Sequence, residues 1–117
     1  MVTDSLDPKV YGAIADPIRR GILDLLRQGE RPAGDLAAHF PVSRPAVSRH
    51  LRVLRRAGLV VERKEAQLRI YSLRPEPLRD VGKWLDSYRL FWGARLHELK
   101  RYVESNHPGP AAKREAE

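Results

Sequence analysis

Apolar positions recur at helical spacing along most of this chain and switch to alternation in one short stretch. Asp7-Pro8 supplies an N-cap followed by proline at the first helical position, predicting a short helix with Val10, Tyr11 and Ile14 inward. Asp16-Pro17 repeats the device. The second helix runs to about Gln28, buries Ile18, Ile22, Leu25 and Leu26, and stops at Gly29. Arg19 and Arg20 face outward near its start, as a solvated face or within reach of phosphate. Ala33 to Phe40 reads as a third short helix with Leu36, Ala37 and Phe40 inside. Pro41-Val42 then turns the chain into a fourth helix. Ser43 is its N-cap, Pro45 sits where a missing N–H costs nothing, and Gly58 can take the left-handed conformation that ends it. Val47, Leu51 and Leu54 form one narrow apolar seam along that helix.

Past Gly58 the period drops to about two. Leu59 to Lys64 and Leu68 to Leu73 read as paired strands around Glu65-Ala66-Gln67, a turn without glycine whose type stays open. Helical spacing returns from Glu76 to about Ser105, through Leu78, Val81, Leu85, Tyr88, Trp92, Leu96, Leu99 and Val103. Trp84, Leu90 and Phe91 widen the stripe. Roughly thirty residues at about 1.5 Å each span on the order of 45 Å, longer than a domain this small is wide. A second chain is the expected cover, so this helix is predicted to form a dimer interface, joined by Val10 and Tyr11. The aromatic residues on it then serve the interface rather than a ligand pocket.

These elements predict a mainly α fold with a small β-hairpin: a winged helix-turn-helix, dimeric through a long C-terminal helix. The domain spans 8–105, between a flexible N-terminus at 1–7 and a patternless, disordered tail at 106–117.

Charge changes the picture from fold to partner. The net charge is +7, and Ser43 to Arg69 holds eight basic residues against two acidic ones. No acid occurs between Ser43 and Val61. A thin apolar seam opposite an unopposed cationic front suits a helix docked on phosphate and base edges. The recognition helix is therefore placed at 44–57 and the wing at 59–73. Ser43 and the amides at the helix start hold phosphate, while Arg44, Ser48 and Arg49 reach base edges. Arg52, Arg63, Lys64, Gln67 and Arg69 serve phosphate or the minor groove, and His50 packs or touches phosphate. Double-stranded DNA is the expected partner; a winged-helix adaptor that binds protein instead is the competing reading.

Other classes fall away. Without cysteine there is no disulfide or thiolate metal site. The opening residues lack the apolar core of a signal peptide, and no window reaches the length of a membrane span, so a cytoplasmic protein without membrane insertion is expected. Asp16, Asp24, Asp35 and Asp86 fall at caps or helix surfaces, with no nucleophile-base pair, phosphate-cradling glycine loop or carboxylate dyad. No enzymatic activity and no cofactor are expected.

Four segments carry a resemblance. Ala15-Asp-Pro-Ile-Arg-Arg-Gly-Ile-Leu-Asp-Leu-Leu26, Gly34-Asp-Leu-Ala37, Val42-Ser-Arg-Pro-Ala-Val-Ser-Arg-His-Leu51 and Leu54-Arg-Arg-Ala-Gly-Leu-Val60 resemble the ArsR/SmtB family of bacterial winged-helix repressors. The resemblance covers Val10 to Leu73 in motif detail and the long helix in length and character. Trp84-Leu-Asp-Ser-Tyr-Arg-Leu-Phe-Trp92 looks like a cysteine-free branch. The family implies a homodimer on an operator near its own promoter that leaves when a signal arrives; a two-fold dimer would read an inverted repeat, and the signal is a small molecule, a partner protein or none at all. Metal-sensing members carry Glu-Leu-Cys-Val-Cys-Asp-Leu where this chain has Glu30 to Leu36, with Pro32 and Gly34 at the thiol positions. Their other site needs Asp-x-His, and Asp86-Ser87-Tyr88 offers tyrosine instead, while His97-Glu98 has the wrong spacing. His39, His50, His97 and His107 form no ligand set, so neither metal site is expected.

Overall fold

A computed structural model of the protein describes residues 7–106. The expected flexible segment at 1–7 and disordered tail at 106–117 lie outside them, apart from Asp7 and Asn106. The elements follow in the order α1 (Pro8–Ile14), α2 (Pro17–Leu26), β1 (Arg31–Pro32), α3 (Ala33–Ala37), α4 (Arg44–Arg56), β2 (Val60–Glu65), β3 (Leu68–Leu73) and α5 (Leu78–Asn106).

Three side-chain caps start the helices where the sequence places them. The Asp7 carboxylate accepts from the Lys9 amide at 2.9 Å, Asp16 from the Arg19 amide at 3.0 Å, and the Ser43 hydroxyl from the Ala46 amide at 3.2 Å. A proline stands in the first turn each time. At the far end of α4, Gly58 takes φ +77° and donates to the Arg55 carbonyl, while Leu59 donates to the Leu54 carbonyl. That pair of bonds is the Schellman arrangement, and the fully buried Leu54 and Leu59 provide the apolar contact that accompanies it. Two helices close earlier than expected: α2 at Leu26 rather than Gln28, and α3 at Ala37. Phe40 lies beyond α3 and still packs on the core. Its ring occupies the space above Gly21, where a Cβ would sit 2.7 Å from Cε1, so α2 needs glycine there.

The expected hairpin forms from β2 and β3, and β1 adds a third strand to its sheet. β3 lies between β2 and β1, antiparallel to both, with Glu62 opposite Tyr71 and Arg31 opposite Tyr71 on the other side. Two residues ending in proline carry no alternation, which is why β1 escapes a periodicity reading.

One apolar cluster holds these elements together. It takes Val10 and Ala13 from α1, Ile22, Leu23 and Leu26 from α2, and Leu36 from α3. The α4 seam of Val47, Leu51 and Leu54 completes its centre, and Ala57, Leu59, Val60 and Tyr71 close it. Ile14, Ile18 and Leu25 are only partly buried; Ala13 and Leu23 take the inner places instead. Val10 requires a correction. It retains 3 % of its surface, so it belongs to the core of its own chain and has nothing to offer a partner.

The chain divides at Gly82 into a winged unit and a second unit beginning at Lys83. Leu78 and Val81 pack on the core of the winged unit. In the second unit, the Trp84 and Tyr88 rings meet edge-on at 5.3 Å and Tyr88 stacks on Trp92 at 6.3 Å. Arg95 lies 4.9 Å over the Phe91 ring. Among the described residues no helix is long and apolar enough to cross a membrane.

The seam generates a direct test. Leu54 is fully buried, so Leu54→Ala should lower stability by about 2–5 kcal/mol through lost transfer energy and a residual cavity. Urea unfolding measures this, and an unchanged midpoint at unchanged slope would mean the site collapses without cost.

Candidate nucleic-acid interface

α3 and α4 form the two arms of a helix-turn-helix, and burial of the α4 seam decides which side chains remain outside. Arg44, Ser48, Arg49, Arg52, Arg55 and Arg56 are all exposed. Arg44, Ser48, Arg52 and Arg55 succeed one another at steps of four, four and three, so they share one face. Ser43 is exposed at the N-terminus of the helix; its oxygen accepts from Ala46, which leaves the hydroxyl proton free to donate. Among the described residues, no hydrogen bond or ion pair engages the guanidinium of Arg44, Arg49, Arg52 or Arg56.

His50 faces the other way. It is partly buried, with Nδ1 3.0 Å from Arg19 Nη1 and 3.9 Å from Asp16 Oδ2. Of its two sequence readings, the structure places it in the packing one. Arg19 likewise departs from the expected outward pose. Its Nε donates to the Ala13 carbonyl at 2.8 Å and its Nη2 to the Gly12 carbonyl at 3.1 Å, bridging the end of α1 to α4. Arg20 donates to the Ile14 carbonyl at 2.9 Å. The orphan carbonyls at a helix end attract exactly such donors, a pull the sequence pattern does not register. The Arg19 amide bond, assisted by the His50 and Arg19 charges, holds the Asp16 carboxyl below its ordinary range.

The wing cations are mostly paired. Arg63 forks onto Glu30, with Nη2 to Oε1 at 2.6 Å and Nη1 to Oε2 at 2.8 Å, and lies 3.4 Å from Glu65. The Glu30 carboxyl is held below its ordinary value by that fork. Any anion that approaches Arg63 competes with those carboxylates. Lys64 and Gln67 are exposed close to the turn, where Ala66 adopts φ 55°. Arg69 Nη1 donates to Glu62 Oε2 at 3.2 Å.

Glu62 is the hub that the sequence reading missed. Its Oε1 also accepts from Arg55 Nη1 at 2.7 Å, and its Oε2 accepts from the Tyr71 hydroxyl at 2.7 Å. The Tyr71 hydrogen bond, with Arg69 and Arg55 close by, keeps the Glu62 carboxyl below its ordinary value. Burial, together with the Glu62 carboxylate, pushes the Tyr71 phenol up to about 12, so it remains a donor. A signal was available: Glu62 stands two residues from the buried Val60, so strand alternation turns it inward. No three His, Asp or Glu side chains gather as a metal site among the described residues, and Pro32 and Gly34 lie in β1 and α3.

The fold has counterparts among known proteins. Residues 16–61 match the family described as bacterial regulatory protein, arsR family. The transcriptional repressor SdpR of Bacillus subtilis is 43% identical over 76 residues, which are 65% of this chain and 84% of that protein. The HTH-type transcriptional regulator Rv2034 of Mycobacterium tuberculosis is 39% identical over 97 residues, 83% of this chain and 88% of its own. Among solved structures, a possible transcriptional regulator for arsenical resistance superposes with a TM-score of 0.61 at 45% identity, covering 80% of this chain and 92% of that one.

The lowered Glu62 carboxyl makes a pH prediction. Because its folded pKa lies below the unfolded value near 4.5, its contribution is complete above that pH and disappears as pH falls through the folded value. Thermal melts from about pH 5 to pH 3 should therefore show a smaller loss for Glu62→Gln than for the wild type. Parallel losses would assign the acid sensitivity to other carboxylates.

Proposed function

The chain belongs to the arsR family of bacterial regulatory proteins, and from that premise we propose a homodimeric repressor that reads an inverted-repeat operator with α4. That it is a sequence-specific DNA-binding regulator, and not an enzyme, follows from the family. The observation that carries the finer reading is the α4 face, where Arg44, Arg49 and Arg52 stand exposed with no partner among the described residues. Unpaired guanidinium forks suit guanine edges and phosphate, and leaving them unpaired in the free protein lowers the cost of transfer to DNA. In this reading Arg44, Ser48 and Arg49 contact bases, Ser43 and Arg52 hold phosphate, and Lys64, Gln67 and Arg69 approach the flanking backbone. Arg63, tied to Glu30, contributes less than its charge suggests. Repression rather than activation is favoured by the name of the Bacillus subtilis relative.

A dimer is supported by α5. Leu90 is 82% exposed, Leu96 65% and Leu99 57%, with Tyr88, Trp92 and Val103 exposed on the same helix. Apolar surface of that extent marks an interaction site, and a two-fold dimer doubles the number of base contacts. Tyr11 and Leu85, both half-buried, complete the proposed interface. Such a regulator works in the cytoplasm, and with Pro32 and Gly34 at the thiol positions it takes its signal from something other than metal at that site.

Protection mapping on the DNA upstream of its own gene tests the reading, with two half-sites about one helical turn apart as the expected footprint. Arg49→Ala should cost about 1–3 kcal/mol and relax preference at one position in each half-site. Equal losses on operator and random duplex would remove Arg49 from base readout.

A double substitution tests the dimer. Leu85→Glu with Leu96→Glu should give monomers in light scattering, because unpaired charge at an apolar interface is strongly unfavourable. A folded monomer that held the operator at wild-type affinity would rule out the dimer model.

A further inference from the structure

Between α4 and the wing lies a cleft of about 230 Å³, lined by Ser48, Arg52, Arg55, Glu62, Arg69 and Tyr71. We propose that this cleft seats a single DNA phosphodiester, and that Glu62 is the internal counter-anion that shapes the seat and limits its strength on random DNA. The proposal rests on the reading of α4 as the recognition helix and adds a site and a control residue to it.

Three guanidiniums and one carboxylate leave the cleft with two uncompensated positive charges. A neutral or apolar effector gains nothing there, and the volume falls below the roughly 300 Å³ at which pockets for organic ligands begin. Arg55 comes from the recognition helix and Arg69 from the wing, so one phosphate bound by both would link the two DNA-reading elements. The Glu62 side chain is 17% exposed, against 47% for Arg55 and 61% for Arg69. The carboxylate therefore sits behind the guanidiniums, and their outer edges face the solvent.

The Arg55 and Arg69 guanidiniums each spend one N–H on Glu62 and keep four. Long arginine side chains lose rotamer entropy when they grip a ligand; here that loss is already incurred in the free protein. Tyr71, buried and protonated, fixes the carboxylate in turn. Removing the charge of Glu62 should thus act in two ways. Attraction to any phosphate rises, and the alignment of Arg55 with Arg69 that favours the correct register weakens.

The experiment is fluorescence anisotropy of the full chain on a duplex from its own upstream region and on a scrambled duplex, at several salt concentrations. For Glu62→Gln, binding to scrambled duplex should tighten roughly five- to tenfold near 0.1 M salt, with a salt slope steeper by about one, as for one additional counterion released. The ratio of specific to scrambled affinity should fall. Arg55→Ala should flatten the slope by about one, and Arg55→Lys should restore the slope without restoring the ratio. Unchanged slopes for both Glu62→Gln and Arg55→Ala, in a protein that still prefers its own DNA, would overturn the seat and leave the DNA-binding reading standing. A wild type without preference between the duplexes would overturn both. A melting temperature for each variant identifies any loss that comes from unfolding.

Discussion

Burial of Val47, Leu51 and Leu54 is the constraint on which the other features depend. These three residues occupy one narrow strip of α4, and the cluster they enter draws on all three preceding helices and both long strands. With that strip inside, Arg49, Arg52 and Arg56 are turned outward by the 3.6-residue period, while Arg44 and Arg55 flank the seam and stay exposed near the two ends of the helix. The apolar seam thus does two things at once: it supplies the packing energy that keeps a highly cationic helix folded, and it selects the face shown to solvent. A broader apolar face would have been more stable and would have had less room for guanidinium groups.

The arginines that emerge are divided by the carboxylates around them. Arg55 and Arg69 are paired with Glu62, and Arg63 with Glu30 and Glu65, whereas Arg44, Arg49, Arg52 and Arg56 have no partner among the described residues. Exposed pairs of this kind contribute only about 0–1 kcal/mol each, so they do not hold the fold together. Their effect is geometric. They confine long side chains to one arrangement in the wing and its junction with α4, and leave the central face of the helix free to adapt to base edges.

Much of this was legible from spacing and caps. The three cap-proline pairs, the seam and Gly58 each follow from one residue acting on its own few neighbours, so sequence pattern reaches them. Tertiary context decides the remainder. β1 exists because Arg31 and Pro32 lie beside β3, not because two residues prefer to be a strand. Arg19 looked solvated because nothing local indicates that it finds the Gly12 and Ala13 carbonyls. Val10 looked like interface because an apolar residue on a terminal helix reads the same whether its own core or a partner covers it. On α5 the stripe is plain in the sequence, and its apolar side chains stay exposed in the single chain.

An apolar seam alone leaves the recognition helix under-determined. Hydrophobic contact is non-directional, and three aliphatic side chains permit some roll of the helix about its axis. Hydrogen bonds are directional, and two sets of them grip α4 from different sides. His50 meets Arg19, which is itself anchored on the end of α1; Arg55 meets Glu62, which is anchored on Tyr71. The two residues lie five apart, about 140° around the helix at 100° per residue. Bonds on two sides at that separation oppose rotation in either sense. Since Arg44, Ser48 and Arg49 move with any roll, the pose in which we propose they meet bases is fixed by side chains that need touch no base themselves.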